Sequence, residues 1–331
     1  MKILKITALI TGILAILYFV GPRMPRSEYG KTLPDIPVAI DSIESYVNHE
    51  EAAFHIKPDN NSIILWGDSV GKPTEYVLLY LHGFSASRYE GYPITNDFVK
   101  QFKVNAYLPR LAEHGLTDED ALLHMTPERL YASAREALVI AHKLGKKVII
   151  MGTSTGGSLG LMLAADFPDE VSGLILYSPN IEIKQKSAKL LSGPWGLQIG
   201  RLAFGGKFRT TEDAPDSKTC EYWNCKYRVE ATVYLQQLVE ERMTKEEFAK
   251  VKVPVFLAYY YKDKEHQDQT VEVKAAIRMF DELGTPDTEK EKVVLPNAGS
   301  HVIGCELTSG AVDELREKTF AFFRKYFADT Q

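Results

Sequence analysis

The chain has 331 residues, of which 45% are hydrophobic and 25% are charged, and its formal net charge is −5. This composition is typical of a globular protein rather than of a disordered or fibrous one. Because there is no sustained basic run, the sequence argues against a nucleic-acid partner and against electrostatic docking on anionic lipid. The three cysteines, Cys220, Cys225 and Cys305, are too few for a disulfide framework or a structural zinc site.

The first segment is an uncharged apolar run over residues 6–20, preceded by Lys2 and Lys5. A cleaved secretory signal has the same front half but ends in small residues, whereas this run ends in bulky residues and then Pro22. We therefore predict an uncleaved transmembrane anchor over residues 1–22, with a cleaved signal as the alternative. Its uncharged part would cover only about 22 Å of a hydrocarbon core about 30 Å thick. We expect the amino terminus inside and the rest of the chain in an extracytoplasmic position.

Residues 21–37 contain four prolines and no periodic pattern, which predicts a tether over residues 23–40. Beyond it, over residues 41–331, apolar runs alternate with helical patterns. The strand-like runs are residues 63–66, 76–81, 104–108, 148–151, 174–177, 253–261 and 293–295. Several are continuously apolar, as expected for parallel strands that are covered on both faces. The alternation predicts a mostly parallel, doubly wound α/β sheet.

Residues 126–144 show the signals of a helix that packs on this sheet. Thr126 can cap the free amides, Pro127 suits the first turn, and Gly145 follows the last turn. Small and aliphatic residues recur on one stripe of this helix, which indicates the buried face.

The alternation breaks between residues 179 and 251, where aromatic residues such as Trp195, Trp223 and Tyr227 lie among helical patterns and glycines. We interpret this segment as a helical cap inserted between two strands, over the carboxyl ends of the sheet. Cys220 and Cys225 lie in it and could pair in an oxidising compartment, or could remain free thiols. Cys305 is predicted to be a small buried residue.

The strongest chemical signal is a Gly-x-Ser-x-Gly turn centred on Ser154. An apolar strand precedes it, and a helix rich in small residues follows it. A serine on such a tight turn has a strained backbone, which requires glycines on either side, and its hydroxyl projects clear of the chain. The pattern predicts that Ser154 is a nucleophile, and that the following amide, of Thr155, faces the reaction site.

A serine nucleophile needs a base and an acid that orients it. His301 follows the last predicted strand and precedes a terminal helix, so it should lie on the same rim of the sheet as Ser154. The acid should follow the strand at residues 253–261, where Asp263 and Asp268 are the candidates; we favour Asp268 because Val271 can anchor its loop to the core. The second oxyanion donor is predicted to be the amide of Phe84, in the loop after the strand at residues 76–81.

Three motifs carry a family resemblance: residues 81–84 (LHGF), 152–157 (GTSTGG) and 299–302 (GSHV). They resemble the oxyanion loop, nucleophile elbow and histidine loop of α/β-hydrolases, and the chain is most similar to the branch of monoacylglycerol lipases, carboxylesterases and serine aminopeptidase-like enzymes. The resemblance runs from about residue 76 to the end and is weakest in the cap. It implies an α/β-hydrolase fold and acyl transfer through an acyl-enzyme, with no metal and no organic cofactor.

The leading hypothesis is therefore a membrane-anchored serine hydrolase that cleaves carboxylic esters, with a small-molecule ester or acyl compound as substrate. One alternative is an aminopeptidase-like amide hydrolase, which would need acidic residues of the cap, such as Glu182, Glu221 or Glu230, to face Ser154. The alternative of another class is a non-catalytic, membrane-tethered binding protein with the same fold.

Overall fold

The structure, a computed structural model, describes residues 2–328, and within them eleven α-helices and nine β-strands. The helices are α1 (Lys2–Phe19), α2 (Ile43–Glu51), α3 (Ile94–Phe102), α4 (Pro127–Leu144), α5 (Thr155–Asp166), α6 (Gly196–Ala203), α7 (Lys218–Tyr222), α8 (Val229–Arg242), α9 (Lys245–Phe248), α10 (Val273–Glu282) and α11 (Val312–Tyr326). The strands are β1 (Ile63–Leu65), β2 (Thr74–Leu81), β3 (Asn105–Leu108), β4 (Gly145–Thr153), β5 (Gly173–Tyr177), β6 (Phe208–Thr210), β7 (Lys226–Arg228), β8 (Val255–Tyr259) and β9 (Lys290–Val294). Short 3₁₀ helices occupy Ile40–Ser42, Arg88–Gly91, Lys186–Leu190 and Asp287–Glu289.

Seven strands form the central sheet in the order β1-β3-β2-β4-β5-β8-β9. The edge strand β1 is antiparallel to β3, and all other neighbours in the sheet are parallel. Each of the seven predicted apolar runs overlaps one of these strands, so the predicted mostly parallel α/β sheet is confirmed. The strand β4, which leads to Ser154, lies in the middle between β2 and β5.

Both faces of the sheet are covered, which explains the continuous apolar runs. In β4, Val148 and Ile150 join a core cluster that includes residues of α4, α5, α8 and α10, whereas Ile149 and Met151 join a second cluster with α3 and α11. Side chains alternate across a strand, so a strand between two helical layers must be apolar at every position. The middle of the sheet is therefore a rigid base for the loops at its carboxyl edge.

The helix α4 begins and ends as its sequence predicts. The Thr126 hydroxyl accepts a hydrogen bond from the Arg129 amide at 3.3 Å, and Pro127 occupies the first turn. At the other end Gly145 has an extended backbone (φ −165°) and is already the first residue of β4. The helix therefore passes into the sheet without an intervening loop.

The prediction of a transmembrane anchor is wrong. Among the helices of residues 2–328, none combines the length and the apolar character that crossing a membrane requires. The physical reason is length and charge together: the 18 residues of α1 span about 27 Å, short of a hydrocarbon core about 30 Å thick, and include Lys2 and Lys5. The prediction of a membrane protein with an extracytoplasmic catalytic domain, which rested on that anchor, is wrong with it. The end of α1 instead contacts Trp195, whose indole Nε1 donates to the Leu17 carbonyl at 3.0 Å.

Between β5 and β8 the chain forms a segment, residues 178–254, that we call the cap segment; its assignment as a cap stays a prediction. It contains α6–α9 and a two-stranded antiparallel hairpin of β6 and β7. Cys220 and Cys225 form a disulfide with their Cα atoms 5.5 Å apart, which decides between the two alternatives left by the sequence. The loop that the disulfide closes rests on the main body, because the Asn224 amide donates to the Ser85 carbonyl at 2.7 Å and Lys57 Nζ to the Cys220 carbonyl at 2.6 Å.

Candidate active site

Ser154 lies on the turn between β4 and α5 and has a left-handed backbone (φ 53°, ψ −118°), which is rare for residues other than glycine. Small neighbours make this turn sterically allowed. A Cβ at Gly152 would lie 2.6 Å from the Gly156 carbonyl, and a Cβ at Gly156 would overlap the Leu81 carbonyl. The two glycines therefore let the turn press against the end of β2, and Ser154 is held close to the oxyanion loop.

His301 and Asp268 form a close pair at the carboxyl edge of the sheet. His301 Nδ1 and Asp268 Oδ2 are 2.6 Å apart, and the Asp268 side chain is completely buried. The other carboxylate oxygen, Oδ1, accepts hydrogen bonds from the Thr270 amide at 2.8 Å and the Val271 amide at 3.0 Å. These bonds fix the carboxylate, and the carboxylate in turn fixes the ring orientation and tautomer of His301.

The two pKa values show how this pair is balanced. Burial raises the pKa of Asp268, but the His301 charge and the hydrogen bonds outweigh it, and the net pKa lies below the usual value. Burial lowers the pKa of His301, but the Asp268 carboxylate outweighs that effect, and the net pKa lies above the usual value. An ionised Asp268 therefore makes His301 a stronger base than an isolated imidazole in the same place.

The structure places the other candidate acid away from this pair. Asp263 is exposed, and both of its carboxylate oxygens contact His266 Nδ1, at 2.9 and 3.0 Å. It also accepts hydrogen bonds from the amides of Glu265 and His266, which closes a local turn. Of the two candidates, only Asp268 contacts His301; the catalytic role itself stays a prediction.

Ser154 and His301 line one cavity, together with Phe84 and Thr155. His301 Nε2 is buried and has no hydrogen-bond partner among residues 2–328, so the nitrogen opposite Asp268 is free to accept a proton. A hydrogen bond from the Ser154 hydroxyl to this nitrogen is not formed here. Such bonds are often long before a substrate binds.

The loop after β2, which is the predicted oxyanion loop, is anchored at several points. The buried His82 accepts a hydrogen bond from the Leu111 amide at 3.1 Å, and the Gly83 amide donates to a carboxylate oxygen of Glu90 at 2.5 Å. Within the described part of the chain, the Phe84 and Thr155 amides donate no hydrogen bond. Both residues line the cavity beside Ser154, which is where two free donors can stabilise an oxyanion.

The sequence profile described as "Alpha/beta hydrolase family" matches residues 78–305, more than half of the chain. The chain belongs to the alpha/beta hydrolase family. The predicted resemblance is thereby confirmed, and membership of this family supports a hydrolase.

Solved structures similar to this hydrolase include lipolytic enzymes and esterases. One, from the work on the metagenome-derived enzymes LipS and LipT, is 18% identical, with a TM-score of 0.67, over 82% of this chain and 100% of that chain. The monoacylglycerol lipase of Paleococcus ferrophilus is 14% identical, with a TM-score of 0.57, over 80% and 98%. A thermophilic esterase from Thermogutta terrifontis is 16% identical, with a TM-score of 0.53, over 80% and 93%. No curated protein sequence matches the hydrolase, and these low identities show the fold alone.

A further acidic residue, Glu90, lies in the site and is not predicted from the sequence. It is 2% exposed and lines the cavity with Ser154. A Cβ placed on Gly83 would lie 2.8 Å from Glu90 Oε1 and 3.2 Å from the Ser154 Cβ, so the carboxyl group and the serine flank the same glycine. Burial raises the pKa of Glu90 to about 7, although the Gly83 amide and the His301 charge favour the ionised form. No motif marks Glu90, because its position depends on how the chain folds back after Gly83.

The cavity beside Ser154 has a volume of about 720 Å³, within the range of small-molecule sites. Its apolar lining comes mainly from the cap segment, including Leu190, Leu191, Ile199, Trp223 and Leu235. An apolar cavity that ends at the predicted nucleophile has room for an acyl or aryl group beside Ser154.

The acidic residues of the cap named in the sequence do not face this cavity. Glu182 pairs with Lys186 at 3.0 Å, and Glu221 pairs with Lys218 at 2.6 Å. Glu230 pairs with Arg228 at 2.6 Å and is not part of the cavity wall. These three acids therefore offer no free carboxylate to a substrate amine.

Proposed function

We propose that the hydrolase is a serine esterase that cleaves carboxylic esters through an acyl-enzyme. The observation that carries the proposal is the His301–Asp268 pair, whose free Nε2 lines the same cavity as the strained Ser154. The apolar cavity favours an ester with an apolar acyl or aryl part. The ion-paired acids of the cap segment count against an amide substrate with a free amine, and the lipolytic and esterase neighbours are compatible with an ester.

In the proposed reaction, the Ser154 oxygen attacks the ester carbonyl carbon while His301 Nε2 takes the hydroxyl proton. The negative charge on the carbonyl oxygen is stabilised by the Phe84 and Thr155 amides. When the carbon–oxygen bond of the ester breaks, the alcohol leaves with the proton from His301. Water then attacks the acyl-enzyme with His301 again as base, and the acid is released as Ser154 regains its proton. Asp268 stabilises the protonated His301 in both halves.

The test is labelling with a fluorophosphonate probe, followed by hydrolysis of p-nitrophenyl esters of increasing acyl length. The proposal predicts that Ser154→Ala removes labelling and lowers kcat/KM by more than about 10³-fold. The matched control is Ser187→Ala, because Ser187 is a serine of the same cavity wall that lies on the cap segment; this variant should label like the wild type. Failure of the folded wild-type protein to label would refute the serine hydrolase and favour a non-catalytic binding protein.

A further inference from the structure

One wall of the cavity carries polar groups that the proposed reaction does not use. They lie on the β6–β7 hairpin of the cap segment, where Arg209 is paired directly with Tyr227. Residues opposite each other in an antiparallel pair share a face, and so do residues two apart on one strand. Thr211 lies one residue beyond β6, where its amide donates to the Cys225 carbonyl at 2.8 Å and continues the pairing, and all three residues line the cavity. The pairing therefore brings Arg209, Thr211 and Tyr227 together in one wall of the cavity.

These groups have no partners in the described part of the chain. Arg209 is exposed and makes no ion pair or hydrogen bond, and its guanidinium lies 5.2 Å from the centre of the Phe204 ring. The Thr211 hydroxyl oxygen is buried without a partner, and the Tyr227 hydroxyl forms no hydrogen bond. A buried hydroxyl without a partner, such as that of Thr211, is costly, and its position beside an unpaired guanidinium and the Tyr227 hydroxyl makes the three groups a candidate to hold a ligand.

Other arginines of the cap segment show that this is not a general property of the region. Arg228 lies on the opposite face of the hairpin and contacts Asp120 at 2.9 Å and Glu230 at 2.6 Å. Arg201, on α6, also pairs with Glu230. These two arginines, which do not line the cavity, are paired with carboxylates, whereas Arg209, which lines it, has no such partner.

The cluster lies close to the reaction site. The Tyr227 ring packs edge-on against Phe84 with ring centres 5.1 Å apart, and Phe84 is the proposed oxyanion donor. Burial raises the pKa of Tyr227 and the Arg209 charge lowers it, with a net rise, so its hydroxyl remains a donor at neutral pH. Near Ser154 the charged groups are the acids Glu90 and Asp268, whereas the charged group on the hairpin is the cation Arg209. A substrate with an anionic group therefore gains by placing that group on the hairpin and its ester at Ser154.

We propose that Arg209, Thr211 and Tyr227 bind a carboxylate of the substrate, so that the preferred substrates are esters with a free acidic group a few atoms from the scissile bond. This rests on the proposed esterase function. One guanidinium and two neutral hydroxyls match the single charge of a carboxylate better than the double charge of a phosphate monoester. The planar guanidinium can also donate to both carboxylate oxygens at once.

The experiment compares p-nitrophenyl monoesters of succinic, adipic and suberic acid with the corresponding neutral p-nitrophenyl methyl diesters. The proposal predicts a higher kcat/KM for the acids at one or more chain lengths. It also predicts that Arg209→Met reduces this preference by about 10- to 100-fold, because kcat/KM falls much more for the acids than for the neutral diesters. A parallel comparison of 4-acetoxybenzoate with its methyl ester tests an acidic group on the alcohol side. The control is Lys226→Met, because Lys226 lies on the other face of the same hairpin, 4.6 Å from the Phe208 ring, and is absent from the cavity wall.

Two outcomes would overturn the carboxylate site. One is no preference for the acid in any wild-type pair; the other is an equal loss for acid and neutral esters in Arg209→Met. Both leave the esterase intact, because the neutral esters are still hydrolysed. If no ester is hydrolysed, calorimetric titration of Ser154→Ala with monomethyl adipate decides the site independently of turnover. Binding that is lost on adding Arg209→Met supports the site, and no binding, or binding that Arg209→Met leaves unchanged, refutes it.

Discussion

Two glycines in the helix after the nucleophile, Gly156 and Gly160, give a matched pair of alanine substitutions. Real Cβ atoms essentially never approach another heavy atom within 3.0 Å, yet a Cβ at Gly156 would lie 2.5 Å from the Leu81 carbonyl carbon, 2.7 Å from the His82 oxygen, and closer still to the Leu81 oxygen. All three atoms are backbone and belong to the end of β2 and the oxyanion loop. They can move only if that loop moves with them.

At Gly160 a Cβ would lie 3.2 Å from the Ile150 Cγ2 and 3.6 Å from the Leu174 Cδ2, which are side-chain methyl groups. Both substitutions gain about 1 kcal/mol of helix propensity. Overpacking opposes this gain and costs about 1–3 kcal/mol, occasionally more. Because the atoms near Gly156 belong to the backbone and cannot easily move, the cost of Gly156→Ala should lie at the upper end of that range. We expect Gly156→Ala to lower the free energy of unfolding by about 2 kcal/mol or more, and Gly160→Ala to change it by less than about 1 kcal/mol in either direction.

The assay is urea unfolding at constant pH, followed by esterase kinetics of both folded variants. Because the clash displaces the carbonyls that precede Phe84, kcat/KM of Gly156→Ala should fall by about 10²-fold or more, the effect of losing an oxyanion donor. Equal stability and equal activity of the two variants would refute the close contact between α5 and the oxyanion loop.

Two further predictions concern the charges of the site. Asp268→Asn should lower kcat by about 10⁴-fold, because the amide favours the wrong tautomer of His301. Since the carboxylate raises the pKa of His301, the acidic limb of the residual kcat/KM profile should also move to lower pH. A limb that does not move would contradict the pairing of Asp268 with His301. For Glu90, the buried carboxyl has a pKa of about 7 against an ordinary 4.5. Below the ordinary value both the folded and the unfolded state are protonated. As pH rises from there to about 7 only the unfolded state ionises, so the folded state loses stability, and above about 7 the loss is complete. The pKa shift corresponds to about 3 kcal/mol, so Glu90→Gln should be more stable than the wild type by up to that amount at pH 8. In urea unfolding this stability difference should shrink toward pH 5. A difference that does not vary with pH would contradict the raised pKa of Glu90.

The parts of the molecule that the sequence predicts correctly depend on local patterns. The seven sheet strands, the ends of α4 and the turn at Ser154 are each encoded by a few adjacent residues whose backbone preferences and burial agree. Asp263 and Asp268 are the same residue type in the same loop, so the sequence hardly distinguishes them. What separates them is that the Thr270 and Val271 amides hold Asp268 against His301, which is a property of the folded loop.

The features that the sequence does not reveal depend on distant contacts. Glu90 is near Ser154 only because the chain turns back after Gly83, and Arg209 faces the cavity only through its pairing with Tyr227. The anchor prediction for the N-terminal helix rests on its apolar run, the lysines before it and the bulky residues at its end. The contact of this helix with Trp195 of the cap segment, 178 residues away along the chain, is not encoded in those residues.

The disulfide of the cap segment joins residues only five apart, so closing it requires little chain entropy. The contacts that its loop makes with Asn60 and Lys57 join residues more than 160 apart. Forming these contacts first would cost more loop-closure entropy. The short disulfide loop can therefore close before its long-range contacts form, whereas a reduced chain would have to dock this loop without its covalent constraint.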